Sequence, residues 1–156
     1  MEKVEQSIDD SKEVLTLGGK PEESTVSLRI FGDDLDPDEL TQLLNCQPTK
    51  AYRKGHVVTT TMSPRTVRTG QWFLSVEKNR LQTLEEQIAE LFEKLPDDLE
   101  IWKKVNKRFH ASIYCGAWLK GWNRDVWFSA ELLKKMADRE LLIGLAIYCD
   151  CEEDKE

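Results

Sequence analysis

An α+β fold is predicted, a largely antiparallel sheet covered on one face by about three helices. Three observations predict it. Segments that alternate apolar and polar residues recur between segments with helical spacing. Strand-like segments sit next to each other in the chain, so hairpins are favoured over strict β-α-β alternation. The chain starts strand–helix and ends helix–strand, with a long helical stretch between. Two interleaved ferredoxin-like halves are one arrangement that fits this symmetry.

The elements follow in order. In Thr25–Phe31, Val26, Leu28 and Ile30 point one way and Ser27, Arg29 and Phe31 the other, which reads as a half-buried strand. At Leu35–Leu40 a helix begins. Asp36 caps it, Pro37 takes the first helical position, Glu39 falls three residues after the cap, and Leu35 faces Leu40 as a hydrophobic staple. A strand or ribbon near Lys50–Lys54 leads into a polar loop through Thr59–Pro64. Trp72–Val76 alternates again, with Trp72, Leu74 and Val76 on one face.

Thr83 and Glu86 form a capping box ahead of Leu84, Ile88, Leu91, Phe92 and Leu95. Pro96 interrupts, and a second helical piece from Asp98 buries Leu99, Trp102 and Val105. His110–Leu119 and Arg124–Phe128 read as strands of a hairpin turning at Gly121-Trp-Asn123. Ser129 caps a short helix with Leu132, Leu133 and Met136 inward. Leu141–Cys149 is apolar on both faces, which predicts a central, covered strand.

The chain has 156 residues, 40% of them hydrophobic and 33% charged, with net charge −7. That length suits one domain with a core. No apolar run approaches the ~18 residues of a membrane span. The first residues show no secretory signal, so a reducing cytoplasm is expected. The charge is unevenly placed. Residues 1–23 and 150–156 each carry −4 and read as flexible, solvated tails, which leaves the domain, 24–149, at +1. Within it, residues 40–76 contain no acid but hold Lys50, Arg53, Lys54, Arg65 and Arg68. The plain reading is a solvated basic loop, or one that meets the protein's own acids.

The string Ser27-Leu-Arg-Ile-Phe-Gly-Asp-Asp-Leu-Asp-Pro-Asp-Glu-Leu40 resembles the opening of a bacterial family known as domain of unknown function 4279. The likeness continues through Gln47–Gly55, Arg68–Trp72, Tyr114-Cys-Gly116 and Ile147-Tyr-Cys149. It spans roughly residues 26–149, and His56 stands where the family often has an acid. The resemblance implies a soluble bacterial α+β protein, and it implies no activity, cofactor or catalytic residue.

The residues themselves suggest little catalysis. The acids Asp33, Asp34, Asp36, Asp38 and Glu39 fail the EF-hand pattern, with Glu39 where the turn needs glycine and Asn45 where the bidentate Glu belongs. Helix capping explains them. Cys46, Cys115, Cys149 and Cys151 lack paired zinc spacing and read as reduced thiols. His56 and His110 find no nucleophile–base partner, although His110 with Cys115 can be drawn as a dyad. No metal, cofactor or catalytic residue is assigned.

Trp72, Trp118 and Trp122 are candidates for a binding ledge beside the basic interval, although Trp72, like Trp127, also suits a core. The expected function is therefore a non-enzymatic binding or interaction module. Its predicted site is Lys50, Arg53, Lys54, Arg65, Arg68, Trp72, Trp118 and Trp122, directed at an acidic protein surface or a small anion. An immunity- or antitoxin-like role is one concrete version, by analogy alone. The alternative is a small enzyme on an anionic substrate, with Arg65 and Arg68 as clamp and a histidine moving protons. Third comes single-stranded nucleic acid on the exposed sheet face, using aromatics and Arg29; the acidic tails rank it last.

Overall fold

The computed structural model describes residues 6–9, 12–15, 18–77 and 80–149. Gln6–Asp9 (β1) and Lys12–Leu15 (β2) pair as an antiparallel ribbon. The main sheet uses β3 (Glu23–Gly32), β4 (Lys50–Tyr52), β7 (Gly70–Ser75), β8 (His110–Leu119) and β9 (Leu142–Cys149), in the spatial order β4-β7-β3-β8-β9. Val57–Val58 (β5) and Arg65–Thr66 (β6) form a small arm between β4 and β7. The described residues form four helices: α1 (Pro37–Leu44), α2 (Leu84–Glu93), α3 (Leu99–Arg108) and α4 (Ala130–Asp138).

The first four main strands pair antiparallel, and β9 joins β8 in parallel. Taken as β3-α1-β4-β7-α2/α3-β8, they follow the split β-α-β-β-α-β course, with both crossovers on one face. One ferredoxin-like unit is therefore present, extended by α4 and β9, rather than the two halves considered above. The parallel β8–β9 connection needs a crossover, and α4 supplies it.

The predicted helix starts form. Asp36 accepts from the Asp38 N–H at 2.9 Å, Thr83 and Glu86 make the reciprocal capping box, and Ser129 accepts from the Leu132 N–H at 3.2 Å. The core lies between the helices and one sheet face. Val26, Leu28 and Ile30 of β3 meet Trp72 and Leu74 of β7, Ile113 and Cys115 of β8, and Leu40, Ile88, Leu91, Trp102 and Val105 from the helices. Among the described residues, no helix packs on the other face of the sheet.

Two expectations need correction. Arg124–Phe128 is not a strand, so the hairpin at Gly121-Trp-Asn123 is absent. Arg124 is drawn instead to Glu22, and the Asp125 N–H donates to the Gly19 carbonyl at 2.8 Å. The free edge of β8 is then taken by β9. Second, β9 is an edge strand and not a central one, with Leu142 70% and Ile147 62% exposed. Trp127 and Leu133 are exposed as well. Glu22 ties to Arg124, β3 begins at Glu23, and Gln6–Asp9 pairs with Lys12–Leu15. Residues 1–5 and the acidic segment 150–156 lie outside the described residues.

No helix among the described residues is long and apolar enough to cross a membrane. Cys46 and Cys115 carry free thiols, whereas Cys149 is disulfide-bonded, against the reduced state expected of all four cysteines.

Candidate functional site

Two of the basic interval's five cations, Arg53 and Lys54, are engaged by the protein's own acids. Arg53 holds Asp36 and Asp38, with contacts at 2.7 and 3.0 Å, and Lys54 holds Asp33 at 2.7 Å. Arg108 of α3 takes the remaining two acids of the cluster, Glu39 at 2.6 Å and Asp34 at 3.3 Å. The five carboxylates before and inside the first turn of α1 thus meet three cations. Lys54, followed by the Thr69 hydroxyl, holds the Asp33 carboxyl below the ordinary carboxylate range. These contacts are exposed and individually weak. Together they pin the end of β4 and the end of α3 to the start of α1.

Arg65 and Arg68 are exposed on or beside the β5–β6 arm, with no ion-pair partner among the described residues. Trp72 is fully buried and its Nε1 donates to Thr41 Oγ1 at 3.1 Å, so it belongs to the core and cannot contact a ligand. Trp122 stands 84% exposed on the connection after β8. Trp118 and Lys50 fall elsewhere, on the uncovered face of the sheet. The eight predicted residues are therefore not gathered into one site.

The uncovered face does gather a set. Cross-strand register builds one row from Lys50 through Phe73, Arg29 and Ser112 to Leu142. The row above it holds Tyr52, Gln71, Phe31 and His110. Below it come Ser75, Ser27, Tyr114 and Gly144, and further down Trp118 beside Tyr148. Side chains at these positions share one face because the strand period is two. Five strands at the usual spacing make this face about 19 Å wide.

Arg29 is its centre. The guanidinium carbon lies 3.6 Å from the Tyr114 ring centroid and 5.8 Å from that of Phe73, and Nε donates to Ser27 Oγ at 3.2 Å. Cation–π contact and one hydrogen bond hold the group without using most of its donors. Phe31 packs edge-on to Phe73, with centroids 5.4 Å apart. Trp118 stacks on Tyr148 at 4.9 Å, and the hydrogen bond between Tyr148 and Tyr114 pushes the Tyr148 phenol above its ordinary pKa. A Cβ at Gly116 would lie 2.9 Å from both Thr25 Oγ1 and Trp118 Cη2, so glycine is what lets the indole lie across this strand. Lys50 Nζ reaches over Tyr52, 5.3 Å from its centroid, and Tyr52 stacks on His56 at 5.1 Å.

From Ser27 upward the face carries no acid; Glu23, at its far end, is engaged by Arg80. The result is an aromatic floor with Arg29 and Lys50 as fixed positive charges. Sequence reading had named Arg29, Lys50 and Trp118. It did not join Phe31, Phe73, Tyr114 and Tyr148 to them, although the alternation in β3 and β7 already placed Phe31 and Phe73 opposite the core.

A family described as a domain of unknown function (DUF4279) matches residues 22–150. The chain belongs to this family. No curated protein and no solved structure matches it. The match takes in every strand of the main sheet from β3 to β9, and hence the whole open face of the DUF4279 domain.

Both histidines are exposed, and neither lines the groove of about 510 Å³ between α1 and α3 or the one of about 360 Å³ between α2 and α4. Cys115 is buried on the core side of β8, and burial pushes its thiol up to about 12. His110 lies on the opposite face of the same strand, so the drawn dyad does not form. No group of three or more metal-ligating side chains occurs among the described residues.

Proposed function

We propose that this chain is a non-enzymatic binding module that recognises an acidic segment of a partner protein on the open face of its sheet. The observation that carries the reading is Arg29. It sits at the middle of this face, walled by Tyr114 and Phe73, with no carboxylate partner among the described residues. Every acid of the nearby cluster is already committed to Arg53, Lys54 or Arg108. An incoming carboxylate can take the free guanidinium donors as a charge-assisted pair, with Lys50 next along the same row. The surrounding rings exclude water and give area at low entropic cost.

The test is a titration of the isotope-labelled chain with a glutamate-rich peptide, read by amide and side-chain shifts. Perturbations centred on Arg29, Lys50, Phe73 and Tyr114 that weaken with salt are expected. Arg29→Gln should lower affinity by about tenfold, the scale of one charge-assisted pair. Shifts confined to Arg65 and Arg68, or tighter binding of a single-stranded RNA of equal charge, would overturn the reading.

A further inference from the structure

We propose that β9 is the seam of a homodimer, in which two copies pair edge to edge and antiparallel through Leu142–Cys149. The proposal is independent of what the open face binds.

The strand Leu-Ile-Gly-Leu-Ala-Ile-Tyr-Cys contains no charge and no proline. Apolar residues on both faces mark a strand that is covered and paired on both sides. Among the described residues it has one strand neighbour, β8. Leu142, Ile147 and Tyr148 are 70%, 62% and 46% exposed, and Ile143 and Leu145 are each 41% exposed although they face the helix side. Sheet edges are normally protected by shortness, charge or proline. The opposite edge of this sheet obeys that rule, since β4 has three residues, begins with Lys50 and runs into Arg53 and Lys54. Of the two edges of this sheet among the described residues, β9 presents the long, uncharged one.

A second copy fits that edge. Two-fold pairing of a strand with itself along a continuous sheet is antiparallel and self-complementary. Centred on Leu145, it sets Leu142 against Tyr148 of the second copy, Ile143 against Ile147, and Gly144 against Ala146. No charge enters the seam. Parallel pairing would instead run the acidic 150–156 segments, each −4, out side by side, whereas antiparallel pairing sends them to opposite ends. Pairing at this edge closes the main-chain ladder of β9 and covers the parts of its exposed apolar side chains that flank the seam. Both open faces end on the same side of the joined sheet, because pairing in this register keeps side chains of equal parity on one face.

The experiment measures molar mass by sedimentation across a concentration series, using the full chain. The wild type is expected to shift from monomer to dimer. Ile143→Lys and Ile147→Glu should each remain monomeric, with unchanged circular dichroism. Mixing them should restore a dimer, because this register sets residue 143 against residue 147. As a second arm, Leu145→Cys should give a disulfide-linked dimer on mild oxidation while the wild type does not. A wild type that stays monomeric throughout the series, or a mixture of the two variants that fails to associate, would overturn the proposal.

Discussion

Trp72 separates a core from a binding ledge, and its replacement gives an answer in free energy. The side chain is fully buried in β7 between Ile30 and Ala51, and it makes a hydrogen bond of 3.1 Å to Thr41. Trp72→Ala removes a whole buried indole, which costs about 3–5 kcal/mol in transfer and cavity terms. Domains of this kind hold about 5–15 kcal/mol in total, so about a fifth or more of the stability goes. Trp72→Phe keeps most of the ring. It loses about 1 kcal/mol with the hydrogen bond, and Thr41, half-exposed, can turn to water instead. The smaller ring adds about 1 kcal/mol or a little more. Trp118→Ala should cost only about 1 kcal/mol, because that ring is half-exposed and its main contact is the Tyr148 stack. Urea unfolding followed by circular dichroism measures all three, with midpoints falling in the order Trp118→Ala, Trp72→Phe, Trp72→Ala and with unchanged slopes. A Trp72→Ala chain within about 1 kcal/mol of wild type would refute the core assignment.

Other outcomes follow from the same contacts. Cys115, buried and with its thiol pushed up to about 12, should resist an aromatic disulfide reagent in the native state and react on unfolding; native reaction faster than unfolding would contradict its placement. Glu22 is held below its ordinary 4.5 chiefly by the Arg124 hydrogen bond. Since the folded value is the lower one, the contact stabilises the fold fully above that ordinary value and is lost as pH falls through the folded value. The stability gap between wild type and Glu22→Gln should therefore be open at neutral pH and closed in strong acid, and a gap that persists at low pH would refute the pairing. Gly116→Ala should push the indole off Tyr148 and change tryptophan fluorescence with little loss of helix signal; an unaltered spectrum would show that the space above Gly116 is not filled by Trp118.

Local signals in the sequence carried far. Alternation in Thr25–Phe31 and Trp72–Val76 placed Val26, Leu28, Ile30, Trp72, Leu74 and Val76 correctly in the core, because burial on one face imposes a period of two. The caps at Asp36, Thr83, Asp98 and Ser129 are satisfied by groups within a few residues, so sequence spacing determines them.

Non-local pairing was less legible. Gly121-Trp-Asn123 has the composition of a turn, but the competing partner of Arg124 is Glu22, far away along the chain. Leu141–Cys149 has the pattern of a covered strand. That pattern records that the strand should be covered but does not say by what, and within one chain it lies at an edge.

The site shows the same division. The acid cluster and the basic interval were each conspicuous alone. Their mutual neutralisation depends on α3 bringing Arg108 to α1, and on β4 placing Arg53 and Lys54 beside it. Arg29 was visible as a polar residue in a strand. Its aromatic walls come from β7 and β8, and only the cross-strand register brings them together.

The central claim is that recognition belongs to the open face around Arg29 and Lys50 and not to Arg53 and Lys54, the acid-engaged cations of the basic interval. Binding of one glutamate-rich peptide to Arg29→Gln and to the double variant Arg53→Ala/Lys54→Ala, each compared with wild type at low and moderate salt, tests it most directly. The account predicts a loss of about tenfold for Arg29→Gln and near-wild-type affinity for the double variant. Equal affinity of Arg29→Gln and wild type, with binding lost in the double variant, would contradict it.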